Sequence, residues 1–180
     1  MTPSRPDDDS DHVGLAARVL ELLAGQRSTL AVAESLTGGL VTATLVSVPG
    51  ASAVLRGGVV SYATDLKHAL LGVDQELLAR VGPVDIDVAR EMAEGARSRL
   101  GATYGLATTG VAGPDPQDGI PVGTVVTAVA GPAGTRVEAF TEVPGTREDI
   151  RAWAADQVLW LLLDEIGRAP TDPPDPSAHG

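Results

Sequence analysis

Apolar segments of strand length alternate with helical patterns along most of this chain, and this alternation limits the folds that it can adopt. A helical face over about residues 12–25 precedes a buried strand at 28–34, and a helix at 38–48 precedes a strand at 57–62. Turn residues separate these elements, and the spacing of apolar residues changes between the periods of a helix and a strand. Such alternation is typical of a sheet that carries helices on its faces.

The second half of the chain continues this pattern and adds an antiparallel pair. Further helices are predicted at 66–71, 74–81, 86–100 and after the capping pattern of Thr146 and Asp149, and further strands at 103–109, 122–130 and 136–143. Asp85 is predicted to cap the helix that follows it. The glycines and proline at 131–134 indicate a hairpin turn between the last two strands. We therefore expect an α/β fold, a three-layer α/β/α sandwich with a mixed sheet.

Length and composition predict a single domain. The chain has 180 residues, 43% of them apolar, which is enough for one sizeable core and too few for two. Aromatic residues make up 3% of the chain, so the core must consist mainly of Ala, Val and Leu. The ends are rich in Pro, Ser and Asp, and we expect disordered tails at 1–12 and 168–180 around a folded domain at 13–167.

The charge and the hydropathy pattern exclude several classes of function. A net charge of −11 argues against a nucleic-acid surface, because neutralising a row of phosphates requires clustered Lys and Arg. No segment is long and apolar enough to span a membrane, and no signal peptide is recognisable, so we expect a cytoplasmic protein that does not bind membranes. The chain contains no cysteine, which excludes disulfides, thiolate metal sites and a cysteine nucleophile.

Two glycine-rich segments follow predicted strands. The first, 34–39, leads into a helix, where unpaired backbone N–H groups can hold a phosphate or an oxyanion. The second, 108–119, is too long for a tight turn. If their strands are parallel, both segments meet at one edge of the sheet, which is where α/β sheets usually bind ligands.

Each of these segments also has an ordinary structural explanation. Ser or Thr before a helix is a common N-cap, and a loop rich in Asp and Pro is common on protein surfaces. The first segment lacks the spacing of a Walker A loop and of a dinucleotide-binding loop. The acidic residues Asp115 and Asp118 lie in the more flexible half of the second segment, so we predict no metal site.

Lys67 is the only lysine in a chain whose Lys and Arg residues number 13. An arginine cannot lose its proton at any useful pH, whereas a desolvated lysine can become a neutral amine and act as a base. A composition biased towards Arg could also leave one lysine without a special role. No histidine is well placed to serve as a base, since His68 points about 100° away from Lys67 on a helix and the other two lie in or beside the tails. Ser35 with Lys67 as its base is the simplest arrangement, and Tyr62 could bond to either.

Four segments occur in order across the predicted domain: 33–39 (AESLTGG), 57–67 (GGVVSYATDLK), 109–114 (TGVAGP) and 121–125 (PVGTV). Together they resemble the CinA C-terminal domain family from about residue 13 to 166. The resemblance implies a nicotinamide-nucleotide amidohydrolase of pyridine nucleotide salvage, which converts nicotinamide mononucleotide (NMN) and water into nicotinic acid mononucleotide and ammonia. It implies a homo-oligomer, and no cofactor or metal is expected.

The resemblance assigns roles to individual residues. It makes Ser35 the nucleophile, Lys67 its base and Tyr62 a hydrogen-bonding partner in catalysis. For acyl transfer by Ser35, we expect backbone N–H groups near Gly38 or Gly110 to hold the oxyanion. Arg147 matches an arginine suited to the phosphate of the substrate. The predicted substrate-binding residues are Thr37, Gly38, Gly39, Thr109, Gly110, Ala112, Gly113 and Arg147.

The chain also departs from the pattern of this family. The departures are Leu36 where many relatives have Cys, Thr64-Asp65 in place of Asn-Glu, Asp85 where Ser is common and Ile120 where Lys is frequent. They leave two alternatives open: a nucleotide-binding regulatory module that has lost catalysis, or a Ser/Lys amidase for another small amide.

Overall fold

The computed structural model describes residues 12–168. The helices of this part are α1 (His12–Gly25), α2 (Leu40–Val46), α3 (Thr64–Leu71), α4 (Gln75–Val81), α5 (Ile86–Arg99) and α6 (Arg147–Arg168), with a short 3₁₀ turn at Ala51–Ala53. The strands are β1 (Leu30–Glu34), β2 (Leu55–Val60), β3 (Tyr104–Gly110), β4 (Val125–Gly131) and β5 (Gly134–Phe140). Within residues 12–168, every helix is too short or too polar to cross a lipid bilayer.

The five strands form one mixed sheet in the order β2-β1-β3-β4-β5. β1 is parallel to both of its neighbours, and Glu34 at its end lies opposite Val60 of β2 and Thr108 of β3. β4 is antiparallel to β3 and to β5, and the last pair in that hairpin is Gly131 with Gly134. The predicted mixed sheet and antiparallel hairpin are therefore confirmed.

Helices cover both faces of the sheet, as the strand sequences require. Along β1, Leu30 and Val32 pack into a cluster with α1, α2 and α6, whereas Ala31 and Ala33 pack into a second cluster with α3, α4 and α5. This alternation follows from the pleat, which points successive side chains to opposite faces. The predicted three-layer α/β/α sandwich is confirmed, with a core made mainly of Ala, Val and Leu.

Some element boundaries differ from those predicted. β4 begins at Val125 rather than at residue 122, because Gly123 makes a turn with φ 86° and leaves no room for a side chain, since a Cβ there would lie 2.6 Å from the carbonyl oxygen of Val143. β5 occupies residues 134–140 rather than 136–143. The predicted tails lie outside the described residues, apart from His12 and Arg168, which are the first residue of α1 and the last of α6.

Candidate active site

Three loops meet at one edge of the sheet, where the parallel strands β2, β1 and β3 end. Glu34 ends β1, Val60 ends β2, and the three strands are in register there. Because parallel strands deliver their carboxyl ends to the same edge, the loops that follow them become neighbours. The prediction that the two glycine-rich segments meet at one edge is confirmed.

Lys67 and Ser35 are in direct contact at this edge. The Nζ atom of Lys67 lies 3.0 Å from the Oγ atom of Ser35 and donates a hydrogen bond of 2.8 Å to the carbonyl oxygen of Ser61. The Lys67 side chain is fully buried, with 0% exposure, and Ser35 retains 8%. The residue Ser61 is held in turn, since its N–H donates to the carbonyl oxygen of Glu34 at 2.9 Å. The amine is thus fixed between two neighbouring strand ends.

Burial changes the protonation of this lysine. Removal from water disfavours the ammonium form and lowers the pKa of Lys67 from 10.5 to about 8. At slightly alkaline pH a large fraction of Lys67 is therefore a neutral amine. Its lone pair can accept the proton of the Ser35 hydroxyl across the 3.0 Å contact.

The side chain of Glu34 caps the start of α2, and this role was not predicted from the sequence. Its buried carboxylate accepts the N–H groups of Gly39, Val41 and Thr42 and the hydroxyl of Thr42 at 2.6 to 3.1 Å. Glu34 therefore occupies three N–H groups at the start of α2, and a ligand anion cannot bind these three while the carboxylate is in place. An acidic residue at the end of an otherwise apolar strand was the available signal.

Three residues predicted to bind substrate lie away from the cavity at this edge. The hydroxyl of Thr37 is fully buried against that of Thr108 at 2.7 Å. The N–H of Gly38 donates to the carbonyl oxygen of Ser35 at 3.1 Å and is not available to an oxyanion. The N–H of Gly39 is bound by Glu34.

The cavity beside Ser35 has a volume of about 90 Å³. The predicted site residues that line it are Ser35, Tyr62, Thr109, Gly110, Ala112, Gly113 and Arg147, and the others in its wall are Leu36, Pro83, Val84, Val111, Asp115 and Gln117. Lys67 lies outside this wall and reaches the cavity through Ser35. Of the other six wall residues, Pro83 and Val84 lie outside every motif identified in the sequence, because their place in the wall depends on loop conformation.

The backbone N–H of Gly110 points away from β4. Val111 donates to Thr124 across the antiparallel pair of β3 and β4 at 2.8 Å, and Gly110 is opposite Val125. Because backbone groups alternate in direction along a strand, the Gly110 N–H points away from β4, towards the side of β1. β1 has ended by then, so no strand residue receives this donor. A side chain at Gly110 would collide with the carbonyl oxygen of Thr124, at 2.4 Å from a Cβ.

Arg147 connects Tyr62 to the second glycine-rich loop. One guanidinium nitrogen donates to the Tyr62 hydroxyl at 2.9 Å, and another donates to the carbonyl oxygen of Gly113. Tyr62 is 59% exposed and lies at the rim of the cavity. Its hydroxyl thus binds Arg147, whereas the sequence analysis expected a bond to Ser35 or Lys67. Thr109, which was predicted to bind substrate, donates its hydroxyl to the carbonyl oxygen of Pro83 at 2.7 Å and so connects two parts of the cavity wall.

Arg151 holds the loop that carries Ser35, and the sequence analysis missed it. Its Nε donates to the carbonyl oxygen of Leu36 at 3.0 Å and its Nη2 to that of Thr37 at 2.8 Å. Arg151 lies one turn after Arg147, so the first two turns of α6 hold both loops of the site. The spacing of four residues between the two arginines was the only signal in the sequence.

The positions that depart from the family pattern have separate locations. Leu36 lines the cavity, and Thr64 and Asp65 lie in the first turn of α3. Asp85 accepts the N–H of Asp87 at 2.8 Å, which confirms the predicted cap of α5. Ile120 lies in the loop between β3 and β4. In the described range 12–168, no cluster of three His, Asp or Glu side chains is arranged to hold a metal ion.

Comparison with known proteins places this chain in a family. The model of the CinA C-terminal domain matches residues 12–166. A CinA-like protein of Frankia casuarinae is 53% identical over 163 residues, which cover 91% of this chain and 36% of that protein. A CinA-like protein of Myxococcus xanthus is 45% identical over 167 residues, which cover 91% of this chain and 39% of that protein. The chain therefore spans well under half the length of these relatives.

Solved structures share the fold. Competence damage-inducible protein A from Klebsiella pneumoniae superposes with a TM-score of 0.86 at 30% identity, covering 89% of this chain and 100% of that one. The competence/damage inducible protein CihA from Agrobacterium tumefaciens superposes with a TM-score of 0.82 at 31% identity, covering 91% of this chain and 100% of that one. By sequence and by fold, the chain belongs to the CinA C-terminal domain family.

Proposed function

We propose that this protein is a nicotinamide-nucleotide amidohydrolase that converts NMN and water into nicotinic acid mononucleotide and ammonia. The observation that carries the proposal is the 3.0 Å contact between a fully buried lysine amine and the Oγ of Ser35 at the wall of a cavity. A serine hydroxyl beside an amine that can become neutral is an arrangement that supports acyl transfer from an amide.

In the first half of the reaction, Ser35 becomes acylated. Its Oγ attacks the carboxamide carbon while the hydroxyl proton moves to the Lys67 amine. The N–H of Gly110 donates to the oxyanion of the tetrahedral intermediate, and loss of one such donor typically costs about 10² to 10³ in rate. The carbon–nitrogen bond then breaks, and the Lys67 ammonium returns the proton to the leaving nitrogen, which departs as ammonia.

In the second half, water hydrolyses the acyl-enzyme. Lys67 takes a proton from the attacking water, a second tetrahedral intermediate forms, and the ester bond to Ser35 breaks. The proton goes back to the Ser35 Oγ and the carboxylic acid is released. One base thus serves both halves, as microscopic reversibility allows.

The size and rim of the cavity support a substrate that enters by its amide end. A volume of about 90 Å³ is small compared with the several hundred Å³ of sites that enclose a whole ligand, so the remainder of a nucleotide lies over the rim. Tyr62 and Arg147 are at this rim. Arg147 keeps further N–H donors beside those bound to Tyr62 and Gly113, and a guanidinium binds phosphate well.

The burial of Lys67 favours an enzyme over a binding module that has lost catalysis. Burying an ionisable amine disfavours its charged form and destabilises the fold at neutral pH. A module that only binds nucleotides gains nothing from this cost, whereas a base needs the lowered pKa. The expected homo-oligomer and cytoplasmic location stay predictions, and light scattering measures the first of them.

Ammonia release from NMN by the purified chain tests the proposal. We expect equimolar ammonia and nicotinic acid mononucleotide. Binding of NMN without ammonia, even at high protein concentration, would favour the regulatory module. Ammonia from another member of a panel of small amides, with none from NMN, would favour the alternative amidase.

A further inference from the structure

Ser61 has a buried hydroxyl that the mechanism above does not use. The residue is 0% exposed, and its Oγ has no hydrogen-bond partner. Among the described side chains, Thr127 is the other residue with a fully buried polar atom of this kind. Leaving a buried hydroxyl without a hydrogen-bond partner destabilises a fold, so each such group requires an explanation.

The position of Ser61 beside Lys67 explains its unpartnered hydroxyl, because the backbone of Ser61 already binds this proposed base. The Ser61 carbonyl oxygen accepts from Lys67 Nζ at 2.8 Å, and the Ser61 N–H is fixed on Glu34. The hydroxyl oxygen of the same residue is separated from that carbonyl carbon by only the Cα and Cβ atoms. A change of χ1 between staggered rotamers moves the Oγ while the backbone stays in place.

The number of donors on Lys67 changes during the reaction. The neutral amine has two N–H groups and a lone pair. One N–H donates to the Ser61 carbonyl, the lone pair accepts from the Ser35 hydroxyl, and the second, uncharged N–H has no acceptor. The ammonium has three N–H groups and no lone pair. Its third N–H requires an acceptor inside a fully buried site, where a bare charged donor is costly.

We propose, on the basis of the amidohydrolase function above, that the Ser61 hydroxyl is the third hydrogen-bond acceptor of the Lys67 ammonium. Ser61 is then a positioning residue that acts through Lys67 and does not touch the substrate. Its hydroxyl is unpartnered while the amine is neutral and becomes bonded when Lys67 takes the proton of Ser35.

The lone lysine allows this proposal to be tested without any activity measurement. Lysine labelled with ¹³C at Cε gives one side-chain resonance, and its titration by NMR reports the pKa of Lys67. In Ser61→Ala the ammonium loses an acceptor, so we expect the Lys67 pKa to fall by about one unit below that of the wild type. Ser61→Cys keeps the volume but offers a weak acceptor, and we expect a similar fall.

Thr127→Val is the matched control, because it removes the other unpartnered buried hydroxyl from a strand that does not line the site. We expect an unchanged Lys67 pKa in Thr127→Val.

The charged groups on Lys67's own helix and on neighbouring elements are the same in the wild type and in all three variants: Glu34, Asp65, His68, Glu76, Arg80, Glu91, Arg147 and Arg151. The lowered pKa of Lys67 itself arises from burial.

Kinetics supply the second readout at pH 9, where the amine is mostly neutral in wild type and variant. Ser61→Ala is expected to lower kcat for ammonia release about tenfold with little change in KM, since the developing ammonium is less stabilised. An unchanged Lys67 pKa in Ser61→Ala overturns the inference, whether or not the chain hydrolyses NMN. A wild type that releases no ammonia overturns the proposed function, while the NMR titration still decides the role of Ser61.

Discussion

The Nζ atom of Lys67 lies 3.0 Å from the Oγ atom of Ser35, although one residue is on α3 and the other follows β1. The contact exists because β1 and β2 are parallel and in register, so the chain after β2 turns into α3 beside the loop after β1. The amine has no access to solvent there. Its protonation is therefore set by the protein around it, and several measurable properties follow.

The rate of ammonia release is expected to rise with pH through an apparent pKa near 8. Burial lowers the pKa of Lys67 to about 8, and the neutral amine is the form that acts as a base. The measurement is kcat/KM for NMN between pH 6 and 10. A rate that falls over pH 7 to 9 would show that a protonated group drives the reaction.

Arg147→Gln is expected to weaken activity on NMN more than on nicotinamide riboside, which lacks the phosphate. Loss of a charge-assisted hydrogen bond costs about 1.5 to 3 kcal/mol, or roughly 10 to 150-fold in kcat/KM. Any loss through the Tyr62 contact affects both substrates equally. Arg90→Gln, which removes an exposed arginine of α5 paired with Asp87, is the control for the change in charge. Equal losses on the two substrates would refute a phosphate role.

Arg151→Met is expected to lower kcat about tenfold or more with a smaller effect on KM. The carbonyl oxygens of Leu36 and Thr37 lose both of their donors from α6, and the loop that carries Ser35 is released. Arg151→Lys is expected to recover only part of the activity, because an ammonium cannot reproduce the planar pair of donors. Melting curves serve to separate this effect from unfolding. Full activity in Arg151→Met would show that Arg151 is not needed to position Ser35.

Much of the fold could be predicted because apolar residues in helices and strands recur with different periods. The start of β4 was predicted too early for a physical reason. Pro121 and Val122 continue an apolar strand pattern, but Gly123 adopts a conformation with positive φ and packs against the backbone of Val143. A contact between residues so distant in the sequence is not visible in a local pattern.

The candidate site was predictable only in part. Ser35 and Lys67 could be paired because the chain has one lysine and no well-placed histidine. The roles of Glu34 and Arg151 were not predicted because each side chain binds backbone groups. Every residue carries such groups, so the sequence does not show which of them a side chain will bind. The same bonds explain why the N–H of Gly39 is not free for a ligand.

The stability of the protein is expected to depend on Lys67 in a particular pH range. The folded chain binds the Lys67 proton less tightly than the unfolded chain, with a pKa of about 8 against 10.5. The cost of burial is therefore complete below pH 8 and disappears as the pH rises towards 10.5. A shift of this size corresponds to about 3 kcal/mol.

Lys67→Met removes the titrating group and provides the comparison. Urea unfolding is expected to show the free energy of unfolding of the wild type rising relative to that of Lys67→Met, by up to about 3 kcal/mol between pH 7 and 10.5. Arg56→Met, at an exposed position of β2, removes a group that does not titrate in this range and controls for the loss of a charged side chain. A difference between wild type and Lys67→Met that is constant with pH would mean that Lys67 keeps its ordinary pKa.

The most direct test compares ammonia release from NMN by the wild type, Ser35→Ala and Lys67→Arg under one set of conditions. Ser35→Ala removes the nucleophile, and Lys67→Arg keeps a positive charge but cannot accept a proton. We expect ammonia and nicotinic acid mononucleotide from the wild type, with rates reduced by about 10² to 10⁴ in both variants. Full activity in Lys67→Arg would contradict the assignment of this lysine as the base of Ser35.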